Sequence, residues 1–518
     1  MLAIDLAPTG GLYSGSLVHP TKFTAMPSAP RTLTALRREL ARAWRFIQAL
    51  ELDEALHIAF RVELACSRLP NARCAFLEAE VAVLRASAFA LSGNYQAGLS
   101  LAWKGLRGPL AEAPRRVALT ICRYVRWQSG SPERLRVDAP LVLSGNPRFD
   151  GLYALGLCID AGTAMRQLRF SPAKWMASDA LQHAMESGAK GLIAATVSLS
   201  LLAQMAYEEC DFVEAERLAR QIMRNGERKV PLEALVIVYP LMSRLQAHRS
   251  GPAAAIRYLL EGERIGEERA YPRLTAVCLR DQVERHGTAG DLDAAHLSLK
   301  RLAKLVCRQA AAPQGQASEI ASAHALAQAQ FTLLELASLD ACETIRCLHR
   351  EALDRNDLYC AMQLGLRLVE AQGAIGNAQE ASRLLLELLR TGMNRGVFQS
   401  IIDAGPGVRT LLEKMSLNGA ADVLALGPMV RIIVRRLRPH KEKPVPRATR
   451  EQSPAGALTA REQSVLRSIG QGLSNKGIAR ELGIAPETVK SHAKRIFVKL
   501  GAQTRAQAVT RAVQLGFI

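Results

Sequence analysis

The chain has 518 residues, 49% of them apolar and 5% aromatic, with a formal charge of +19. That length exceeds one compact domain, and a mixture rich in Ala and Leu but poor in aromatics favours helix over strand, so several all-α units are expected. Met1 to Ala7 lacks the basic and apolar regions of a secretory signal, and the apolar runs are too short and too interrupted by charge to span a membrane.

Residues 1–30 are rich in Gly, Pro, Ser and Thr without periodicity and read as a disordered leader. From Thr32 the pattern is helical, and 31–437 reads as one array. Within it a unit recurs: an apolar helix, a tight turn with a small residue, then a helix opening on an apolar or aromatic residue and an Ala. Copies run from Ala86 to Gly98, Ala206 to Ala215, Ala247 to Ala255, His286 to Ala295 and Ala374 to Ala381. Turns aligned on Gly93, Cys210, Ser250, Gly290 and Gly376 lie 117, 40, 40 and 86 residues apart, close to multiples of forty, with weaker turns near Gly130, Phe170 and Ser338. A fixed period of this size means stacked helix pairs, each burying one face on its neighbour. Gln309 to Ser318 reads as a loop between repeats. This array resembles tetratricopeptide-like (TPR-like) repeats, in particular those of MalT-type regulators. So does Phe398 to Leu412, where Asp403 and Gly405-Pro406 precede a Leu-Leu helix. The resemblance implies a superhelix whose concave face senses a small-molecule inducer or docks a protein partner. One further helix is expected to about Leu437, and 438–457, with Pro439, Pro444, Pro446 and Pro454, reads as a basic linker.

The charge gathers at the C-terminal end. Leu458 to Ile518 holds ten Lys/Arg against three Glu, a net +7, and Arg435 to Ala457 seven against two, a net +5. A basic segment on a nearly neutral body suits a polyanion. Thr459 and Glu462 form a capping box for a helix with Val465, Leu466 and Ile469 inward, ended by Gly470 and Gly472. Ser474 caps a short helix, Asn475 to Leu482, with Ile478, Ala479 and Leu482 inward. Gly483 turns the chain, and Pro486 opens a third helix to Leu500 with Val489, Ile496 and Leu500 inward. Thr504 caps a fourth helix to Leu515. Two short helices across a glycine turn make a helix-turn-helix unit, whose second helix enters the major groove.

Here the resemblance is to the LuxR-type DNA-binding domain. It rests on Leu458-Thr459-x-Arg461-Glu462, Gly472-Leu473-Ser474-Asn475-Lys476, Ile478-Ala479, Thr488-Val489-Lys490-x-His492, Lys499-Leu500-Gly501 and Ala508-Val509, without a gap. It covers 458–518 and implies a transcription regulator that binds double-stranded DNA as a homodimer. Lys490, Ser491 and Lys494 would face base edges, and Lys476, Thr488, Arg495 and Arg505 phosphates; His492 would pack or hold a phosphate. The sequence departs from the family at Gly477, where Glu is usual, and at Ala485, where a Ser cap is usual.

No G-x-x-x-x-G-K-[ST], G-x-S-x-G or H-E-x-x-H occurs, so no enzymatic activity, cofactor or metal is expected. The ten cysteines include no C-x-x-C pair. Cys158, Cys278, Cys307 and Cys360 sit in apolar helical stretches, so buried thiols of a cytoplasmic, nucleoid-bound protein are expected. Two other readings stand beside the sensing regulator: a scaffold that docks partner proteins with the tail only tethering it to DNA, and a constitutive regulator without signal. A deep pocket with convergent polar groups in the array would favour a small ligand, and a broad groove a protein.

Overall fold

The computed structural model describes residues 32–68, 71–128, 150–224, 230–309, 314–417, 460–471 and 473–482, and positions 486, 489, 490, 492, 493, 496, 497, 508, 509 and 512. The chain divides into two compact units, Met1–Pro439 and His440–Ile518. All regular structure among the described residues is helical, in keeping with the all-α expectation. The leader over 1–30, the helix to Leu437, the linker over 438–457 and the turn near Gly130 lie outside the described residues.

The first unit begins with α1 (Leu33–Gln48), α2 (Leu52–Cys66), α3 (Asn71–Leu91), α4 (Tyr95–Arg107), α5 (Glu112–Gln128), α6 (Asp150–Arg166) and α7 (Phe170–Glu186). It continues with α8 (Leu192–Glu208), α9 (Phe212–Arg224), α10 (Leu232–Ser250), α11 (Pro252–Glu268), α12 (Pro272–Thr288) and α13 (Leu292–Gln309). The last six are α14 (Gln314–Glu335), α15 (Leu339–Asp354), α16 (Leu358–Ala374), α17 (Ala378–Met393), α18 (Gln399–Ile402) and α19 (Pro406–Leu417). Each long helix packs on the next in the chain.

One backbone device joins the hairpins. At Gly93 the chain turns left-handed (φ 87°), where an L side chain is strained. The Asn94 N–H reaches back to the Phe89 carbonyl (2.8 Å), satisfying an orphan acceptor of α3 in a Schellman turn. The Asn94 side chain then accepts the Ala97 N–H (3.2 Å) and caps α4. Cys210-Asp211, Gly290-Asp291 and Asn356-Asp357 repeat it, with φ of 63°, 80° and 54°. Their Asp side chains accept the N–H of Glu214, Ala294 and Cys360, each at 3.1 Å. Five residues beyond the left-handed positions at Cys210, Gly290, Asn356 and Gly376 come Ala215, Ala295, Ala361 and Ala381, all buried.

The expected turns shift slightly. Gly251 (φ 86°), not Ser250, is the left-handed residue; Ser250 completes α10. Leu168 (φ 56°) makes the turn placed near Phe170, which instead opens α7. Ser338 caps α15 through the Ala341 N–H (3.2 Å). The loop expected over Gln309–Ser318 is shorter, because α13 runs to Gln309 and α14 starts at Gln314. Alanine-rich sequence carries the helix on past Gly315, its propensity outweighing the glycine. Among the cysteines, Cys158 and Cys278 are buried as expected, but Cys360 is half-buried and Cys307 exposed. Cys307 stands beside Arg308 on the outer face of α13, which buries Ala295, Ser298, Leu299 and Leu302 instead.

The row of hairpins also curls back on itself. A single apolar core runs from Leu36 in α1 to Met205 in α8 and takes in Met362, Leu385, Val408 and Leu412 near the end of the unit. Buried polar groups fix the curl. The Glu233 carboxylate, 3% exposed, accepts from Tyr95 Oη (2.8 Å) and Tyr124 Oη (3.1 Å) and pairs with Arg273 (3.0 Å). Arg273 also donates to Gln128 Oε1 (2.9 Å) and pairs with Glu319 (2.8 Å), so one guanidinium ties α4, α5, α10, α12 and α14 together. Farther along, the buried Glu208 carboxylate accepts from Tyr359 Oη and Ser400 Oγ (both 2.6 Å). Asp403 accepts from Tyr207 Oη and pairs with His248 (2.9 Å), docking α18 onto α8 and α10.

Two outcomes test this packing. Gly290→Ala meets no atom within 4 Å and carries only the left-handed strain, whereas the new Cβ of Gly93→Ala would also lie 3.0 Å from Leu232 Cδ2. Both should lower the melting temperature, the first by a stability loss of about 1 kcal/mol and the second by more. Burial alone would raise the Glu284 carboxyl, but the guanidinium groups of Arg367, Arg285 and Arg280 outweigh it and hold it down to about 2, against an ordinary 4.5. A depressed carboxyl stabilises the fold above its ordinary value and loses that contribution as pH falls through its folded one. Glu284→Gln should therefore melt lower than the parent at neutral pH, and thermal scans should show the gap closing as pH falls from 4.5 towards about 2.

Candidate functional site

The second unit is built on a small apolar core. In α20 (Ala460–Gly470), Val465, Leu466 and Ile469 are buried, the stripe expected for the first tail helix. In α21 (Asn475–Leu482), Ile478 and Ala479 are buried and Leu482 packs alongside. Val489, Ala493 and Ile496, at i, i+4 and i+7, carry the same core, and Ala508 and Ala512 close it. Ala493 was not singled out from the sequence, although it falls between two positions that were. Leu500 lies outside the described residues.

The start of α21 follows its sequence. Ser474 Oγ accepts the Gly477 N–H (3.2 Å), and the Ser474 carbonyl accepts the Ile478 N–H (2.9 Å). Two helices braced at this cap, with helical residues following from Pro486, are the arrangement that presents a second helix to a groove. Thr459, the expected capping-box partner of Glu462, lies outside the described residues; Glu462 itself is buried.

Of the expected base-edge residues, Lys490 is exposed, one residue beyond buried Val489. Ser491 and Lys494 lie outside the described residues, as do Thr488, Arg495 and Arg505 of the phosphate set. Lys476 occupies the second position of α21. His492 is half-buried, and its Nδ1 is enclosed without a hydrogen-bond partner among the described residues, which agrees better with packing than with phosphate contact. Arg467 and Arg480 are exposed on α20 and α21 and were not foreseen. The signal was present, since both fall off the apolar stripes of their helices.

The first unit holds a separate cavity of about 280 Å³. Ala276, Ile320, Leu326, Leu348 and Leu364 give it an apolar wall, and four guanidinium groups, Arg166, Arg273, Arg280 and Arg355, face two carboxylates, Glu319 and Asp357. Trp127 borders it, with a buried indole N–H that has no partner among the described residues. Burial pushes the bordering Cys360 thiol up to about 11, so it stays protonated at neutral pH. Among the described residues, no group of three or more His, Cys, Asp or Glu could hold a metal ion, and no helix is long and apolar enough to cross a membrane.

Residues 456–512 match the family described as bacterial regulatory proteins, luxR family. The chain is 48% identical over 61 residues to the transcriptional regulatory protein YdfI of Bacillus subtilis, covering 12% of this chain and 29% of that protein. It is 38% identical over 68 residues to the DNA-binding transcriptional activator DevR/DosR of Mycobacterium tuberculosis, 13% and 31% of the two chains. A Mycobacterium bovis protein named as an HTH-type transcriptional regulator is 43% identical over 61 residues, 12% of this chain and 7% of that one. The chain thus spans under a third of the length of each of these relatives. The C-terminal segment is a LuxR-type helix-turn-helix domain.

Gly477, where Glu is usual, needs no special backbone: an added Cβ would make only ordinary contacts, the nearest with Ser474 Oγ at 3.6 Å. Gly477→Ala should therefore stabilise α21 by about 0.5–1 kcal/mol, seen as slower hydrogen exchange of its amides in the full chain. Faster exchange would mean that the helix start depends on glycine.

Proposed function

We propose that the protein is a sequence-specific transcription regulator in which 458–518 binds double-stranded DNA as a homodimer and a TPR-like superhelical array over 31–437 carries the signal input. The observation that carries the reading is the ungapped LuxR-type domain, with its buried core, its Ser474 cap and its exposed Lys490. Regulators named for DNA binding share this segment, which supports the DNA partner. The second helix of such a motif lies in the major groove, where Lys490, Ser491 and Lys494 would address base edges. Lys476, Thr488, Arg495 and Arg505 would hold phosphates, and exposed Arg480 is placed to add to them.

The cavity of about 280 Å³ supports a small-molecule input over a scaffold that merely docks proteins, since polar groups converge in it beside an apolar wall. The site uses no catalytic chemistry: recognition of DNA and of an effector is by charge, hydrogen bonding and shape.

Fluorescence anisotropy on promoter DNA tests the reading. Affinity should fall steeply as salt rises, because phosphate contacts release counterions. Lys490→Ala should relax preference at one base position by about 1–3 kcal/mol, while Lys476→Ala should weaken all sequences alike. A uniform loss in Lys490→Ala would reverse the assignment of the recognition face, and a flat salt response would remove DNA as the partner.

A further inference from the structure

The cavity in the repeat unit sorts its own charges. Arg273 is matched by Glu233 and Glu319, at 3.0 and 2.8 Å. Arg280 donates to Asp281 Oδ1 at 2.6 and 2.9 Å. Arg166 donates to the Trp127 carbonyl (2.6 Å), lies over the Trp127 ring and has Asp357 at 3.8 Å. Arg355, half-buried at the end of α15, is the exception: its guanidinium makes no ion pair and no hydrogen bond among the described residues. Three of the four guanidinium groups that border the space therefore meet protein partners, and Arg355 meets none among the described residues.

A cavity that leaves one guanidinium without a partner among the described residues and is also lined by Ile320, Ala323, Leu326, Leu348 and Leu364 is complementary to a molecule with one negative charge and an apolar body. A planar carboxylate matches the guanidinium fork in a bidentate pair, and the apolar wall takes the rest of the molecule from water. A dianion such as a phosphate monoester would bring a second charge for which the described lining holds no second unpaired guanidinium. A sugar would leave its hydroxyls against leucine and isoleucine side chains, with few partners. We infer that this cavity binds a small monocarboxylate with an aliphatic or aromatic body, held by Arg355, and that this is the class of effector the repeat unit senses. The effector role rests on the regulator reading above; the binding site does not.

The test uses the full chain with octanoate and phenylacetate as probes, and octanamide and phenylacetamide as their uncharged counterparts, read by titration calorimetry and thermal shift. Saturable binding of the carboxylates, weak or absent binding of the amides, and a loss of about tenfold or more in Arg355→Gln are expected. Ala323→Trp fills the space while leaving Arg355 in place, and should abolish binding in a protein that keeps its circular dichroism. It also decides the matter if Arg355→Gln fails to fold. Amides that bind as well as the acids, or carboxylate binding unchanged in Arg355→Gln or in Ala323→Trp, would overturn the assignment. So would the absence of saturable binding by either carboxylate. DNA affinity is measured separately without probe: a chain that binds carboxylates but not DNA overturns the regulator reading alone, and one that binds DNA but neither carboxylate overturns the cavity assignment alone.

Discussion

A helix ends with carbonyls that lack partners, and the next begins with N–H groups in the same state. In the first unit both needs are met within a few residues. A left-handed residue lets the following N–H reach back five positions, and that following residue, when it is Asn or Asp, caps the next helix through its side chain. Loops this short leave the helices nowhere to go but against each other, and the buried Ala215, Ala295 and Ala361 let them approach. The stacking, the curl and the space left within it all depend on these turns.

The curl then needs interior contacts that sequence periodicity does not reveal. Glu233 and Arg273 are forty positions apart, and their partners run from Tyr95 to Glu319. Breaking a buried pair of this kind leaves a charge without solvent, so the network favours one arrangement of the helices over its neighbours. The cavity lies against the same network, which holds Arg273 in place, while Asp281 holds Arg280 and Arg355 meets no partner among the described residues. Structure and recognition thus draw on one set of arginines.

Much of the helical organisation was legible because helical periodicity and turn chemistry are local. Gly93, Cys210, Gly290 and Gly376 marked turns that are left-handed in the structure, and Ser474 marked a cap that forms. The Asn or Asp after the turn was an available signal that went unused, at Asn94, Asp211 and Asp291. Leu50 and Asn356 adopt the same backbone without glycine and were not marked, whereas Leu168 makes the turn placed near Phe170. The cavity was out of reach, since its lining comes from stretches as distant as Trp127 and Leu364 and no local rule joins them. In the tail, the apolar stripes predicted the core, and Lys490 stands exposed as its place in the motif implies.

The most direct measurement is genome-wide capture of DNA bound by the full chain, beside the same chain ending at Leu437. Discrete sites that share a sequence motif and vanish on truncation are the predicted result. Enrichment that survives the truncation, or no enrichment by the full chain, would contradict the assignment of DNA reading to the C-terminal domain.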